Sequence, residues 1–281
     1  MRRLSFLSVF FLLLSLQTFA QKRIVTAGSL ISEVVYALGH GDKIVATDRA
    51  SKYPAALQKL PSIGYRSSIS AEGILAQEPD LILLEAGYVK EEVITLLKAT
   101  GIKTLTIKQE YSIESAENAI LTIAEALGEA TQGKTMVAEM KTALQDLEKT
   151  VARTEARPKV LCVYARGAGN MNVVGPDSFF SILELAGCQN AVPEISGYKP
   201  LNTEALIEAN PDYILFFESG LQSVGGKAGV LQISGVSETT AGKKGQIIAL
   251  EGALIANWGP RLPEAARQLF ELTHPNTEAK R

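Results

Sequence analysis

SAEGILAQEPDLILL (residues 70–84) and NTEALIEANPDYILF (residues 202–216) are two versions of one supersecondary unit. They align Glu72 with Glu204, Pro79 with Pro211, Asp80 with Asp212, Ile82 with Ile214 and Leu83 with Leu215, and each follows a Gly-Tyr-basic triplet, Gly64-Tyr65-Arg66 or Gly197-Tyr198-Lys199. In each copy a polar cap opens a short amphipathic helix, and Pro-Asp ends it, because the residue before proline is driven out of αR and proline has no N–H to donate. A run of β-type apolar residues follows, which predicts a buried strand. Two copies predict two lobes of one design, with a ligand cleft between them.

Working outward from the first copy, RIVTAG, KIVAT, DLILLEA and KTLTI predict strands, and LISEVVYALG, ISAEGILAQE and VKEEVITLLKATG predict helices between them. Strands alternating with helices imply a parallel sheet wrapped by helices. Around the second copy, KVLCVYA, DYILFF and QIIALE predict strands, and SFFSILELAG, TEALIEAN and PEAARQLFEL helices. Between the two stretches, Ile120, Ile123, Ala124, Leu127, Met136, Met140, Leu144 and Leu147 recur at helical spacing. The expected fold is therefore α/β: two similar parallel-sheet lobes, residues 21–111 and 157–281, joined by a single long helix over 112–156, with Gly128 and Gly133 as its candidate break points. A stiff connection of this kind predicts lobes that move little.

At the N-terminus, Arg2 and Arg3 precede an apolar run from Leu4 to Leu16, and Thr18-Phe19-Ala20 ends in a small residue. That pattern predicts a cleavable secretion signal over residues 1–20, the run being short of the roughly 20 residues a membrane span needs. No cysteine stands there to carry a lipid, so the expectation is a periplasmic protein and not a lipoprotein. The net charge of −2 provides no basic field, which excludes nucleic acid as a partner. The two cysteines, Cys162 in a strand and Cys188 after a helix, are read as small buried residues before they are read as a disulfide.

Enzymatic patterns fare poorly. Gly128 to Thr135, GEATQGKT, fits G-x-x-x-x-G-K-[ST], but a phosphate loop must follow a buried strand, and the preceding AILTIAEAL has helical period. The two histidines, His40 and His274, are expected in exposed turns, leaving little for a triad or a His-based metal centre. What does gather where strands should end is aromatic and basic: Arg49, Tyr65, Arg66, Tyr88, Arg166, Tyr198, Lys199, Trp258 and Arg261. Loops at the carboxyl ends of parallel strands form the ligand crevice of such sheets. Tyrosines beside cations suit a flat apolar ligand that carries negative groups.

Signal, lobe, long helix, lobe, with S-x-E…PDLIL repeated, resembles the substrate-binding proteins of ABC importers for cobalamin, siderophores and haem. GYRSSISAEGILAQEPDLILL, GYKPLNTEALIEANPDYILFFESGLQSVGG and NWGPRLPEA are similar to the periplasmic haem-binding branch. The resemblance implies a carrier with no catalytic cofactor that transports haem b, with Tyr65 as axial ligand of a five-coordinate ferric haem; a cobalamin or ferric-siderophore carrier is the alternative. It implies that Arg66, Tyr88, Arg166, Met171, Tyr198, Lys199, Trp258 and Arg261 line the pocket or meet the propionates. The family's arginine two positions after the ligand tyrosine is Ser67 here, and Arg66 stands next to it; the histidine that some relatives carry in the loop of RGAGNMNVVG is absent. Glu72 and Glu204 match the glutamates that dock the two lobes onto a permease dimer, and the resemblance implies a monomer that binds one haem.

Overall fold

The computed structural model describes residues 22–275, so the expected secretion signal lies outside the described residues. The first sheet holds β1 (Ile24–Ala27), β2 (Ile44–Thr47), β3 (Leu81–Glu85) and β4 (Lys103–Ile107) in the order β2-β1-β3-β4, all parallel. Its helices are α1 (Ser29–Val35), α2 (Ala71–Leu75) and α3 (Glu91–Ala99). Ile82, Leu83 and Leu84 are fully buried, as strands covered on both faces require.

The second sheet holds β5 (Lys159–Ala165), β6 (Met171–Val174), β8 (Tyr198–Pro200), β9 (Tyr213–Phe217) and β10 (Ile247–Leu250) in the order β10-β9-β5-β6-β8, with β7 (Gln189–Asn190) beside the start of β5. Strands β10, β9 and β5 are parallel, whereas β6 and β8 run antiparallel to their neighbours, so this sheet is mixed. The departure has a local cause. β6 and β8 are short, and β8 is an exposed edge strand that ends on Pro200, which tolerates no inner ladder position.

The segment between the sheets is two helices, α4 (Ile113–Leu127) and α5 (Ala130–Ala152). Gly128 caps α4 in the left-handed region (φ 84°), where a side chain would be strained. Gly133 lies inside α5 and is needed for a different reason: a Cβ there would meet the Ala124 Cβ at 2.4 Å. The chain thus folds back at Gly128, and α5 alone runs on to the second sheet. Because the motif-like stretch Gly128–Thr135 follows a helix and is itself largely helical, it forms no phosphate cradle.

One buried cluster continues across both halves, from Ile24, Leu30 and Leu81 through Ile120, Ile123, Met140 and Leu147 to Val160, Leu215, Trp258 and Leu269. Each fully buried Leu or Ile contributes ~1.5–3 kcal/mol. Each sheet also has its own core on its other face.

The histidines depart from expectation. Gly39 (φ 80°) turns His40 back into the structure, where its Nε2 lies 2.9 Å from Glu129 Oε1, and His274 stacks on Phe270 with ring centroids 4.5 Å apart; both are buried. Cys162 and Cys188 are buried free thiols, held protonated by that burial, with Cys188 pushed up to about 11.

Candidate ligand cleft between the sheets

The last residues of β1, β2 and β3 set the floor of the first wall. Gly28, following β1, donates its N–H to Asp48 Oδ1 at 3.1 Å, and the Asp48 carboxylate also accepts from Ser51 Oγ (2.6 Å), from the Ala50 N–H (2.8 Å) and from the Tyr88 hydroxyl (2.5 Å). A buried carboxylate needs such donors, and Asp48 is 2% exposed. Glu85, ending β3, has no comparable set among the described residues. Burial outweighs the attraction of Arg66, and nearby Asp48 adds to it, so the Glu85 carboxyl is pushed up to about 7. Burial and the bond to Asp48 keep Tyr88 a neutral phenol.

Tyr65 stands above this floor, half-buried. Gly64 precedes it at φ 110°, and a Cβ there would press on Ser68 Oγ at 2.9 Å. Ser68 Oγ receives the Tyr65 N–H at 2.8 Å, which fixes the turn. The Tyr65 ring meets Tyr88 edge-on, centroids 6.0 Å apart. Arg66 adopts φ 45°, an unusual value for a residue with a side chain, and this carries its Nε to 3.4 Å from the Tyr65 hydroxyl and its guanidinium to 4.9 Å over the Tyr88 ring. Arg49 stands 6.0 Å from the Tyr65 ring. Arg66 therefore reaches the phenol from the position next to it.

The facing wall comes from the second sheet. Tyr164, near the end of β5, lies edge-on to Tyr198 (5.7 Å) and Phe217 (6.0 Å), and accepts a hydrogen bond from Arg166 Nε at 2.8 Å. Burial, then Tyr111 and Tyr164, push Tyr198 up to about 12; Arg66 and Tyr65 also act on it from across the cleft. Arg166 is held charged first by Tyr164, and Tyr65 acts on it as well. The two walls thus share one electrostatic neighbourhood. It offers exposed tyrosine rings for a flat ligand, guanidiniums for negative groups and phenol oxygens for a hard metal.

Of the expected site residues, Tyr65, Arg66, Tyr88, Arg166 and Tyr198 come together in this cleft. Trp258 does not join them: it is 3% exposed and donates its indole N–H to the Phe179 carbonyl at 3.0 Å, beneath Tyr111. Arg261 is engaged in a bidentate pair with buried Glu33 (3.0 Å to each oxygen) and covers the Tyr53 ring at 3.4 Å. Met171 packs on the second sheet's core, and Lys199, one step along β8 from Tyr198, projects to the opposite face. Both Trp258 and Arg261 belong to the seam that fixes the walls. The sequence reading passed over Asp48, Glu85, Tyr111 and Tyr164. Tyr164 was absorbed into a strand, although its place at the strand's carboxyl end was a legible signal.

Glu72 and Glu204 sit exposed in the first turns of α2 and of α6 (Thr203–Ala209), under caps from Ser70 and Asn202.

Two lobes with ligand-type side chains converging between them define a binding protein of the two-lobed class. The periplasmic binding protein family matches residues 24–254, and the chain belongs to it. Its backbone superposes on the periplasmic heme-binding protein RhuT from Roseiflexus sp. RS-1 with a TM-score of 0.87 at 32% identity, covering 91% of this chain and 99% of that one. It matches the periplasmic heme-binding protein BhuT in complex with two hemes at 0.86 and 30% identity, covering 91% and 99%. The uncharacterized ABC transporter substrate-binding lipoprotein YvrC of Bacillus subtilis (strain 168) is 29% identical over 262 residues, 91% of this chain and 81% of that protein. Among the described residues, no helix is long and apolar enough to cross a membrane.

Proposed function

We propose that this chain is a periplasmic substrate-binding protein that captures haem between its lobes and delivers it to an ABC importer. The observation that carries the reading is Tyr65, half-exposed in the cleft with Arg66 Nε 3.4 Å from its hydroxyl. Phenolate is a hard anionic oxygen suited to ferric iron and an established haem ligand. Its ordinary pKa near 10 requires a neighbouring cation and the metal itself to ionise it at neutral pH. The likeness to two heme-binding proteins along nearly their whole length supports the same reading.

In this proposal haem b is cargo, and the protein carries out no catalysis. Tyr88 and Tyr198 provide rings for the macrocycle, and Arg166 attracts the propionates. Lys199 acts at longer range, while Met171, Trp258 and Arg261 hold the second wall in place. Glu72 and Glu204 dock the two lobes onto the permease dimer. The chain is exported through a cleaved signal over residues 1–20 and works as a monomer.

Titration with hemin, followed by absorption spectroscopy, tests the reading. The expected result is tight binding with a high-spin tyrosinate spectrum, weakened at least tenfold by Tyr65→Phe. Tight binding of cyanocobalamin or a ferric siderophore in competition, with no spectral change for hemin, would overturn it.

A further inference from the structure

Two routes that hold Tyr65 in place run back to one buried carboxylate. Asp48 follows β2, is 2% exposed, and divides four donors between its oxygens. Its Oδ1 accepts from the Gly28 N–H and Ser51 Oγ, and its Oδ2 from the Ala50 N–H and the Tyr88 hydroxyl. We propose that Asp48 is the positioning residue for the iron ligand, setting Tyr65 through its backbone and through its hydroxyl at once. The inference rests on the proposed ferric-haem cargo and on Tyr65 as its ligand.

The first route is the backbone. The bonds from Ala50 and Ser51 to the Asp48 carboxylate close a tight turn after β2, and the Ser51 N–H returns to the Asp48 carbonyl at 3.2 Å. Inside that turn the Arg49 N–H meets the Gly64 carbonyl at 2.9 Å, directly before Tyr65. The contact continues the pairing of Thr47 with the same segment, its N–H on the Pro61 carbonyl at 3.1 Å and its carbonyl on the Ile63 N–H at 3.0 Å. Glycine is the residue with the freest backbone, so the hold on its carbonyl fixes the φ of 110° from which Tyr65 departs.

The second route is through side chains. The bond to Asp48 anchors Tyr88, whose ring meets Tyr65 edge-on at 6.0 Å and carries the Arg66 guanidinium at 4.9 Å. A cation is drawn to the negative face of such a ring. Arg66, seated there, brings its Nε to 3.4 Å from the Tyr65 hydroxyl. A carboxylate is the side chain this position needs. An amide would have to turn its NH2 toward one of the two donor pairs, and each pair contains a backbone N–H that cannot become an acceptor.

Hemin titrations with resonance Raman detection of the phenolate–iron mode test this in the wild type, Asp48→Asn, Tyr88→Phe, Arg66→Gln and Asp48→Asn/Tyr88→Phe. Thermal midpoints establish that each variant is folded when it is measured. Asp48→Asn should weaken hemin binding about fivefold, the order of one or two lost hydrogen bonds, and move the mode in the direction that Arg66→Gln moves it. Tyr88→Phe keeps the ring and removes one donor, so it should move the mode the same way by less. The double variant should lose less affinity than the product of the two single losses, because both act along one route. An Asp48→Asn protein with the wild-type mode overturns the inference whatever its stability, and so do fully multiplicative losses in the double variant. If Asp48→Asn does not fold, Tyr88→Phe decides alone, and an unmoved mode there is the refuting result. A wild type with no phenolate mode fails differently, because it removes the functional reading together with the inference.

Discussion

Asp80 and Arg23 exchange two hydrogen bonds: the Asp80 carboxylate accepts the Arg23 N–H at 2.8 Å, and the Arg23 carbonyl accepts the Asp80 N–H at 2.9 Å. Asp212 and Lys159 repeat this at 2.9 and 2.8 Å. Each Pro-Asp therefore ties the start of one strand, β3 or β9, to the start of its sheet neighbour, β1 or β5. Asp80→Ala and Asp212→Ala should each lose about 1 kcal/mol, as expected for a partly solvated hydrogen bond. Urea denaturation of each single variant should give similar shifts of midpoint, and a loss confined to one lobe would show that the copies are not mechanically equivalent.

Glu33 is buried where the two halves meet, held by Arg261 Nε and Nη2, each at 3.0 Å, and by Asn257 Nδ2 at 2.8 Å. Removing one member of such a buried pair leaves an uncompensated charge, at a cost of about 3–5 kcal/mol. Arg261→Ala should therefore lower the unfolding free energy by that order, and Arg261→Ala/Glu33→Gln should recover a part of it. Equal stability of the single and double variants would refute the coupling.

Glu85 has a pH signature of its own. Its carboxyl is pushed up to about 7 in the fold from 4.5, so between those values the folded state binds more protons than the unfolded one. Stability from this group is fully present below about pH 4.5 and is lost as pH rises through 7. Glu85→Gln should remove that slope and raise stability above pH 7 by on the order of 3 kcal/mol. Thermal midpoints measured from pH 4 to 8 for both proteins check it.

Glu72 and Glu204 project from the first turns of matched helices. Exposed ion pairs are weak one at a time and screened by salt. Glu72→Lys/Glu204→Lys should abolish import by reconstituted transporter while hemin affinity stays within twofold of wild type. Uptake that survives the double reversal would remove these residues from the docking surface.

How legible the molecule was depended on the kind of signal. β3 and β5 fall where their apolar runs place them, Leu81–Glu85 and Lys159–Ala165, because parallel strands buried on both faces must be continuously apolar. β6 and β8 escaped notice because a short, solvated edge strand carries neither a long apolar run nor a clean alternation. His40 and His274 were misread because a polar side chain after a glycine or at a helix end looks like a turn residue. What buries them are Glu129, distant in sequence, and Phe270, a turn earlier. In the cleft, Tyr65 and Arg66 were visible through the repeat. Arg261 and Trp258 were misplaced because a sequence cannot say whether a cation faces a ligand or a buried glutamate such as Glu33.

The unbroken cluster behind the cleft bears on how cargo leaves. Parting the halves would mean wetting Leu30, Ile120, Met140 and Trp258, and re-exposing even about 400 Å² of such surface costs about 10 kcal/mol, on the scale of a domain's entire stability. Spontaneous gaping is thus too rare to set an off-rate of use to a cell. Unloading becomes work performed on the carrier from outside, by whatever grips its two lobes and prises them or competes for the iron.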